Sequence, residues 1–148
     1  MNAASDRPVL FAYDGSDFAK AAVELAGREL TAGRQAIVIT VWQPLEAIPF
    51  GGFAAPGTNE EVDQGVAEQA REVAEEGVEL VKAAGFDATP LTVRGTPTWR
   101  VIVDAADEKD ASLIVLGSHG RTGIKELMLG SVAGAVASHS KRAVLIAH

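Results

Sequence analysis

Apolar residues along this chain fall into short unbroken runs separated by longer stretches with a helical repeat. Pro8 to Asp14 (PVLFAYD), Gln35 to Trp42 (QAIVITVW), Ala111 to Leu116 (ASLIVL) and Arg142 to Ala147 (RAVLIA) are compact, largely apolar and rich in β-branched residues. Such runs predict strands buried on both faces. Asp87 to Val93 (DATPLTV) predicts a further strand, third in chain order. Its Pro90 has no N–H to give to a ladder, which puts that strand at a sheet edge.

Between the strands the spacing changes to that of helices. Gly15-Ser16 breaks the first run, and Ser16 predicts an N-cap for a helix over about 17–32 that ends at Gly33. Ala19, Ala22, Val23, Ala26 and Leu30 form its apolar stripe. A long helix is predicted from Asn59 to Ala84, with Val62, Val66, Ala70, Val73, Gly77, Leu80 and Val81 on one side and Gly85 closing it. Its other side carries Glu60, Glu61, Glu68, Glu72, Glu75, Glu76 and Glu79, which reads as a solvated face. Thr96-Pro97 predicts a cap and a proline at the first helical position, opening a helix to about Lys109. A last helix is expected around Val132–Ser140. Residues 43–58 hold three prolines and three glycines and predict a long connection, of a length that usually marks a functional lid or a disordered segment.

Strands therefore alternate with amphipathic helices, with no internal repeat. That order predicts one α/β domain over 1–148, an open five-stranded parallel sheet covered on both faces and joined by right-handed crossovers. In such sheets ligands bind beyond the C-terminal ends of the strands, where the strand order reverses. The segments to search are Asp14-Gly15-Ser16 and the stretch from Gly117 onward.

Composition narrows the chemistry. The chain has 148 residues and no Cys, which excludes disulfides, thiol catalysis and thiolate metal sites. No apolar run approaches the roughly 18 residues of a membrane span. MNAASDRP lacks the basic end and apolar core of a signal peptide, so a soluble cytoplasmic protein is expected. Net charge is −7, with 13 basic and 20 acidic groups, which argues against nucleic acid or an anionic membrane as partner. The charge is unevenly spread, however: residues 1–58 carry −2, residues 59–112 carry −8 and residues 113–148 carry +3. A basic quarter in an acidic chain invites a search for an anion site there.

That quarter contains Gly117-Ser118-His119-Gly120-Arg121, then Gly130-Ser131-Val132, in the pattern G-x2-G-x9-G-S. The glycines allow close backbone approach, and a helix start at Gly130-Ser131 offers N–H groups and a positive dipole end to a phosphate. The Ser131 hydroxyl suits a phosphate oxygen, or serves as N-cap without one. Arg121 and Lys125 supply positive charge. Asp14, at a strand end facing this loop, suits ribose hydroxyls or a divalent cation through water. His119 lies between two of the glycines, but a lone His shows no metal spacing with His139 or His148. Trp42 and Trp99 read as packing residues rather than as base-stacking groups.

These residues resemble the universal stress protein family, in particular its ATP-binding branch with G-x2-G-x9-G-[ST]. The resemblance covers nearly the whole chain. It implies strand order 3-2-1-4-5 and a homodimer through the last strand, residues 143–147. It also implies that Asp14 meets the nucleoside, with Ala12 and Tyr13 before it in the adenosine pocket and the backbone of Val41 against adenine. Leu116, Gly117 and Gly120 then line ribose and phosphates, with His119 and Arg121 beside them, and Gly130, Ser131 and Val132 hold the phosphates. The expected ligand is ATP, with AMP or cyclic AMP as alternatives and Mg²⁺ possible alongside the nucleotide. The chain departs from the family in having Ala143 after Lys141-Arg142, where a Pro often precedes the last strand.

Rival functions find less support. There is no G-x4-G-K-[ST] and no G-x-S-x-G, so neither a P-loop NTPase nor a nucleophile-elbow hydrolase is indicated, and slow ATP hydrolysis is the most enzymatic reading. A phospho-acceptor domain needs a carboxylate at the end of the third strand, where Val93-Arg94-Gly95 stands. A nucleotide-free dimeric interaction protein, with the glycine loop as architecture only, remains the remaining alternative. The protein partner is unknown.

Overall fold

The computed structural model describes residues 6–44, 59–120 and 128–148. In chain order they form β1 (Val9–Ala12), α1 (Asp17–Glu29), β2 (Gln35–Trp42), α2 (Asn59–Ala83), β3 (Asp87–Arg94), α3 (Thr98–Glu108), β4 (Leu113–Gly117), α4 (Ser131–His139) and β5 (Ala143–Ala147). The five strands make one parallel sheet in the order β3-β2-β1-β4-β5, as the family resemblance implied. Pro90 lies on the edge strand β3, opposite Val38 of β2, so its missing donor costs the ladder nothing on the outer side.

The middle strand runs are apolar throughout because both faces are covered. Val9, Phe11, Val38 and Val115 point to one face, where they pack with Ala22, Val23 and Ala26 of α1 and Val78 and Val81 of α2. Leu10, Ile39 and Ile114 point to the other, against Ile102 and Ala106 of α3 and Val136 of α4. Phe11 and Leu10 are essentially fully buried, and each such side chain contributes on the order of 2–3 kcal/mol through burial. Phe11 also meets Phe86 edge to face, with ring centroids 5.2 Å apart.

Several boundaries move from their sequence-based positions. The first strand ends at Ala12, not Asp14, although Tyr13 N–H still donates to the Ile39 carbonyl at 3.0 Å. Helix α1 ends at Glu29 because Leu30 is already extended, at φ −106° and ψ 154°. Gly33 serves the following turn instead, at φ +86°, with its N–H bonded to the Gly85 carbonyl at 2.7 Å. The cap of α3 is Pro97, not Thr96, and no side chain caps it; the Pro97 carbonyl accepts from the Arg100 N–H instead. Strand β4 begins at Leu113 because the Ala111 N–H closes the end of α3 through the Ala106 carbonyl. Strand β5 begins at Ala143, since Arg142 is held by a bond from its N–H to the Ser140 hydroxyl. The connection expected over 43–58 lies, from residue 45, outside the described residues.

Candidate functional site

At the C-terminal edge of the sheet, β1 and β4 lie side by side, and their chains leave in opposite directions. Strand β1 turns through Asp14-Gly15-Ser16 into α1, under one face. Strand β4 turns through Gly117 toward α4, on the other. A crevice forms where neighbouring strands diverge in this way. Here it is a cavity of about 460 Å³, within the usual range for small-molecule sites.

The first wall is fixed by the turn after β1. Gly15 takes φ +82°, which lets the chain reverse there. The Asp14 Oδ1 atom accepts a 3.0 Å hydrogen bond from the Ser16 N–H, and the Ser16 hydroxyl accepts from the Ala19 N–H at 3.1 Å, as the predicted N-cap. Asp14 is thereby held at the mouth of the cavity with Ala12 and Tyr13.

Tyr13 lines the cavity, as expected, and also ties this turn to the rest of the protein. Its side chain is buried, and its hydroxyl donates to Glu76 Oε1 of α2 at 2.6 Å. Its carbonyl accepts from the Thr40 hydroxyl at 2.8 Å. With its N–H on Ile39, every polar group of Tyr13 is engaged within the protein. Burial first, then the hydrogen bond and charge of Glu76, and last the charge of Asp14 push its phenol well above the ordinary tyrosine value. Tyr13 therefore anchors Asp14 through its hydroxyl, carbonyl and N–H.

The opposite wall comes from the glycine loop. A side chain on Gly117 would meet the Phe18 backbone at 2.6 Å, so the bare glycine is what lets β4 press on the first turn of α1. A Cβ on Gly120 would lie 2.9 Å from Asp14 Oδ2, which places the loop directly over the carboxylate. The Gly130 N–H donates to the Ser118 carbonyl at 2.7 Å, and a Cβ there would meet that same oxygen at 2.8 Å. Gly130 is the N-cap of α4, and the first helical bond runs from the Gly134 N–H to its carbonyl. The N–H groups of Ser131, Val132 and Ala133 precede that ladder and open at the end of the helix. Two expectations change here. Gly130 gives its N–H to the protein, so it contributes space rather than a donor. Ser131 is the first residue of α4 and its hydroxyl does not cap the helix.

Ala12, Tyr13, Asp14, Val41, Leu116, Gly117, His119, Gly120, Gly130, Ser131 and Val132, drawn from four separate segments, all line this one cavity. Arg121, the twelfth expected site residue, and Lys125 lie outside the described residues. Arg142, counted above with the basic quarter, is not at the cavity. It pairs with Asp107 at 3.0 Å and Asp110 at 2.8 Å, at the opposite end of the sheet. Among the described residues no group of three or more His, Asp or Glu is arranged to hold a metal ion, and no helix is long and apolar enough to cross a membrane.

Sequence reasoning missed the side wall. Thr98 and Ile102 of α3 line the cavity, as do Met128 and Leu129 just before α4. Met128 is 71% and Leu129 44% exposed. The apolar stripe of α3 was the available signal, since α3 and α4 share one face of the sheet. Trp42 does not line this cavity and carries Arg94 over its ring at 5.7 Å. Trp99 stacks on His139 with centroids 4.3 Å apart.

A family model described as the universal stress protein family matches residues 7–148. The universal stress protein YxiE of Bacillus subtilis is 34% identical over 148 residues, covering 93% of this chain and 96% of its own. A universal stress protein solved in complex with cAMP is 30% identical, with a TM-score of 0.68 over 97% of this chain and 98% of that one. One from Archaeoglobus fulgidus in complex with dAMP is 26% identical, with a TM-score of 0.65 over 96% of this chain and 98% of that one.

Proposed function

The chain belongs to the universal stress protein family, and on that premise we propose that it is a cytoplasmic regulatory protein whose single domain, 1–148, binds an adenine nucleotide, ATP in preference. The observation that carries this reading is the cavity itself. It joins a carboxylate at the end of β1 to the donor end of α4, the two ends of a nucleoside phosphate. In this reading the base lies between Ala12 and Val41, Asp14 takes the ribose hydroxyls, and the phosphates run past Gly117 and Gly120 to the N–H groups of Ser131 and Val132. Arg121 adds charge to the phosphates.

Asp14 is the one carboxylate among the described lining residues. Mg²⁺ would therefore enter on the phosphates rather than on a protein cage, as that ion commonly does. AMP or cyclic AMP is the second reading, favoured by the relatives solved with cAMP and dAMP. Calorimetric titration with ATP, ADP, AMP and cyclic AMP, with and without Mg²⁺, separates these. Affinity rising with each phosphate is expected; no heat with any of the four overturns the nucleotide reading.

The same premise extends to assembly. Strand β5 pairs with β4 on one side and, among the described residues, with no strand on its outer side, and it carries Val144, Leu145 and Ile146. An unprotected apolar edge pairs readily with a second copy, so the protein is expected to be a two-fold homodimer through residues 143–147. A monomeric mass by light scattering at micromolar concentration counts against it.

A further inference from the structure

Ser118 is 1% exposed, and its Oγ lies 3.0 Å from Nδ1 of the adjacent His119. The Ser118 backbone is also committed: its N–H donates to the Ala147 carbonyl and its carbonyl accepts from the Gly130 N–H, both at 2.7 Å. No other acceptor for the hydroxyl stands among the described residues. A buried hydroxyl proton without an acceptor is costlier than a buried lone pair without a donor. The hydroxyl therefore donates to Nδ1, which leaves the ring proton on Nε2.

The ring that carries this proton is held on its other sides. Phe18 lies against it, with centroids 5.1 Å apart at 51°. The ring carbon Cδ2, bonded to Nε2, lies 3.4 Å from where a Cβ on Gly130 would stand. The Nε2 edge is thus turned to the start of α4, and His119 lines the cavity together with Ser131. The opposite tautomer would present a lone pair there, which repels an anion.

We propose that Ser118 is a positioning residue that sets His119 as an Nε2–H donor to the phosphate chain of the nucleotide. This rests on the nucleotide reading above and specifies which ligand atoms His119 meets: phosphate oxygens, not base or ribose.

The test combines ring-nitrogen NMR of the ligand-free protein with titration by adenosine and ATP. There are three histidines, and His119→Gln assigns the signals of His119 by difference. The parent is expected to show the Nε2–H tautomer, and Ser118→Ala a mixture. His119→Leu is expected to lose about tenfold in ATP affinity while adenosine affinity stays within about twofold. His119→Gln, which keeps an N–H at a similar reach, is expected to recover most of the loss. An Nδ1–H tautomer in the parent, or equal losses for adenosine and ATP in His119→Leu, overturns the proposal. A parent that binds neither ligand instead overturns the nucleotide reading, and the phosphate role with it.

Discussion

The Tyr13 hydroxyl donates a 2.6 Å hydrogen bond to Glu76 Oε1, tying the residue before Asp14 to the middle of α2. Lys20 of α1 reaches the same carboxylate at 3.5 Å. Glu76 sits half exposed, so water can replace part of what the bond supplies. Tyr13→Phe is expected to cost about 1 kcal/mol in denaturant unfolding. Tyr13 is the only tyrosine in the chain, so alkaline absorbance reads it alone. Its raised pKa means that the native state keeps the proton above the ordinary value near 10, while the unfolded state releases it. Stability should therefore fall more steeply as pH rises past about 10 in the parent than in Tyr13→Phe. Tyrosinate absorbance at the ordinary pKa in the folded protein would refute this.

Two glycines of α2 should respond to alanine with opposite signs. A Cβ on Gly77 would stand 2.6 Å from Tyr13 Cδ1 and 2.8 Å from Val38 Cγ1. Both neighbours are buried and fixed, so Gly77→Ala should destabilise by about 1–3 kcal/mol. A Cβ on Gly65 meets nothing within 4 Å. Gly65→Ala should instead stabilise by about 0.5–1 kcal/mol through helix propensity. Thermal melts of the two variants settle it, and a shift of the same sign in both would contradict the geometry.

The Arg142 cluster gives a pH dependence at the acid end. The hydrogen bond from Arg142, joined by the charges of Arg7 and Arg142, holds the Asp110 carboxyl below its ordinary value of 3.8. Folding thus favours the ionised form, so this stabilisation is present above about 3.8 and is lost as pH falls through the lowered value. Asp110→Asn should be less stable than the parent at pH 7, the difference shrinking on acidification below that point. Asn also tolerates the φ of +50° at this position. A difference that is constant with pH would mean that charge is not the cause.

At the cavity, Gly120→Ala is expected to lower ATP affinity by about tenfold, because the new methyl would press on Asp14 Oδ2 from 2.9 Å. Gly120 is exposed, so its melting temperature should change little. Gly130→Ala should lower both affinity and stability, since its methyl meets the hydrogen-bonded Ser118 carbonyl at 2.8 Å. Gly120→Ala binding ATP as tightly as the parent would remove the loop from the site.

The alternation of strands and helices was legible in the sequence because the runs of β1, β2 and β4 are covered on both faces and each helix on one. Pro90 marked its edge for the same reason of elementary chemistry. Tyr13 lines the cavity as the sequence implies, but nothing in the pattern ties it to Glu76. That residue stands in a run of glutamates on a solvated face, and only the three-dimensional approach at Gly77 singles it out. Arg142 added to the charge of the basic quarter, yet a sequence count cannot tell which end of a parallel sheet a charge serves. Thr98 and Ile102 were hidden because a side wall depends on how α3 crosses the sheet. The glycines that follow helices were easier to foresee than the exact bounds: Gly33 and Gly85 both take positive φ.

The hydrogen bond from the Ser118 N–H to the Ala147 carbonyl has a practical side. It makes the carboxyl end of β5 part of the scaffolding behind the cavity, one bond away from the residue that holds the imidazole. Purification handles, fluorescent reporters or fusion partners joined directly after β5 would pull on that bond. A spacer there, or attachment at the other end of the chain, keeps such cargo from being mistaken for a ligand effect.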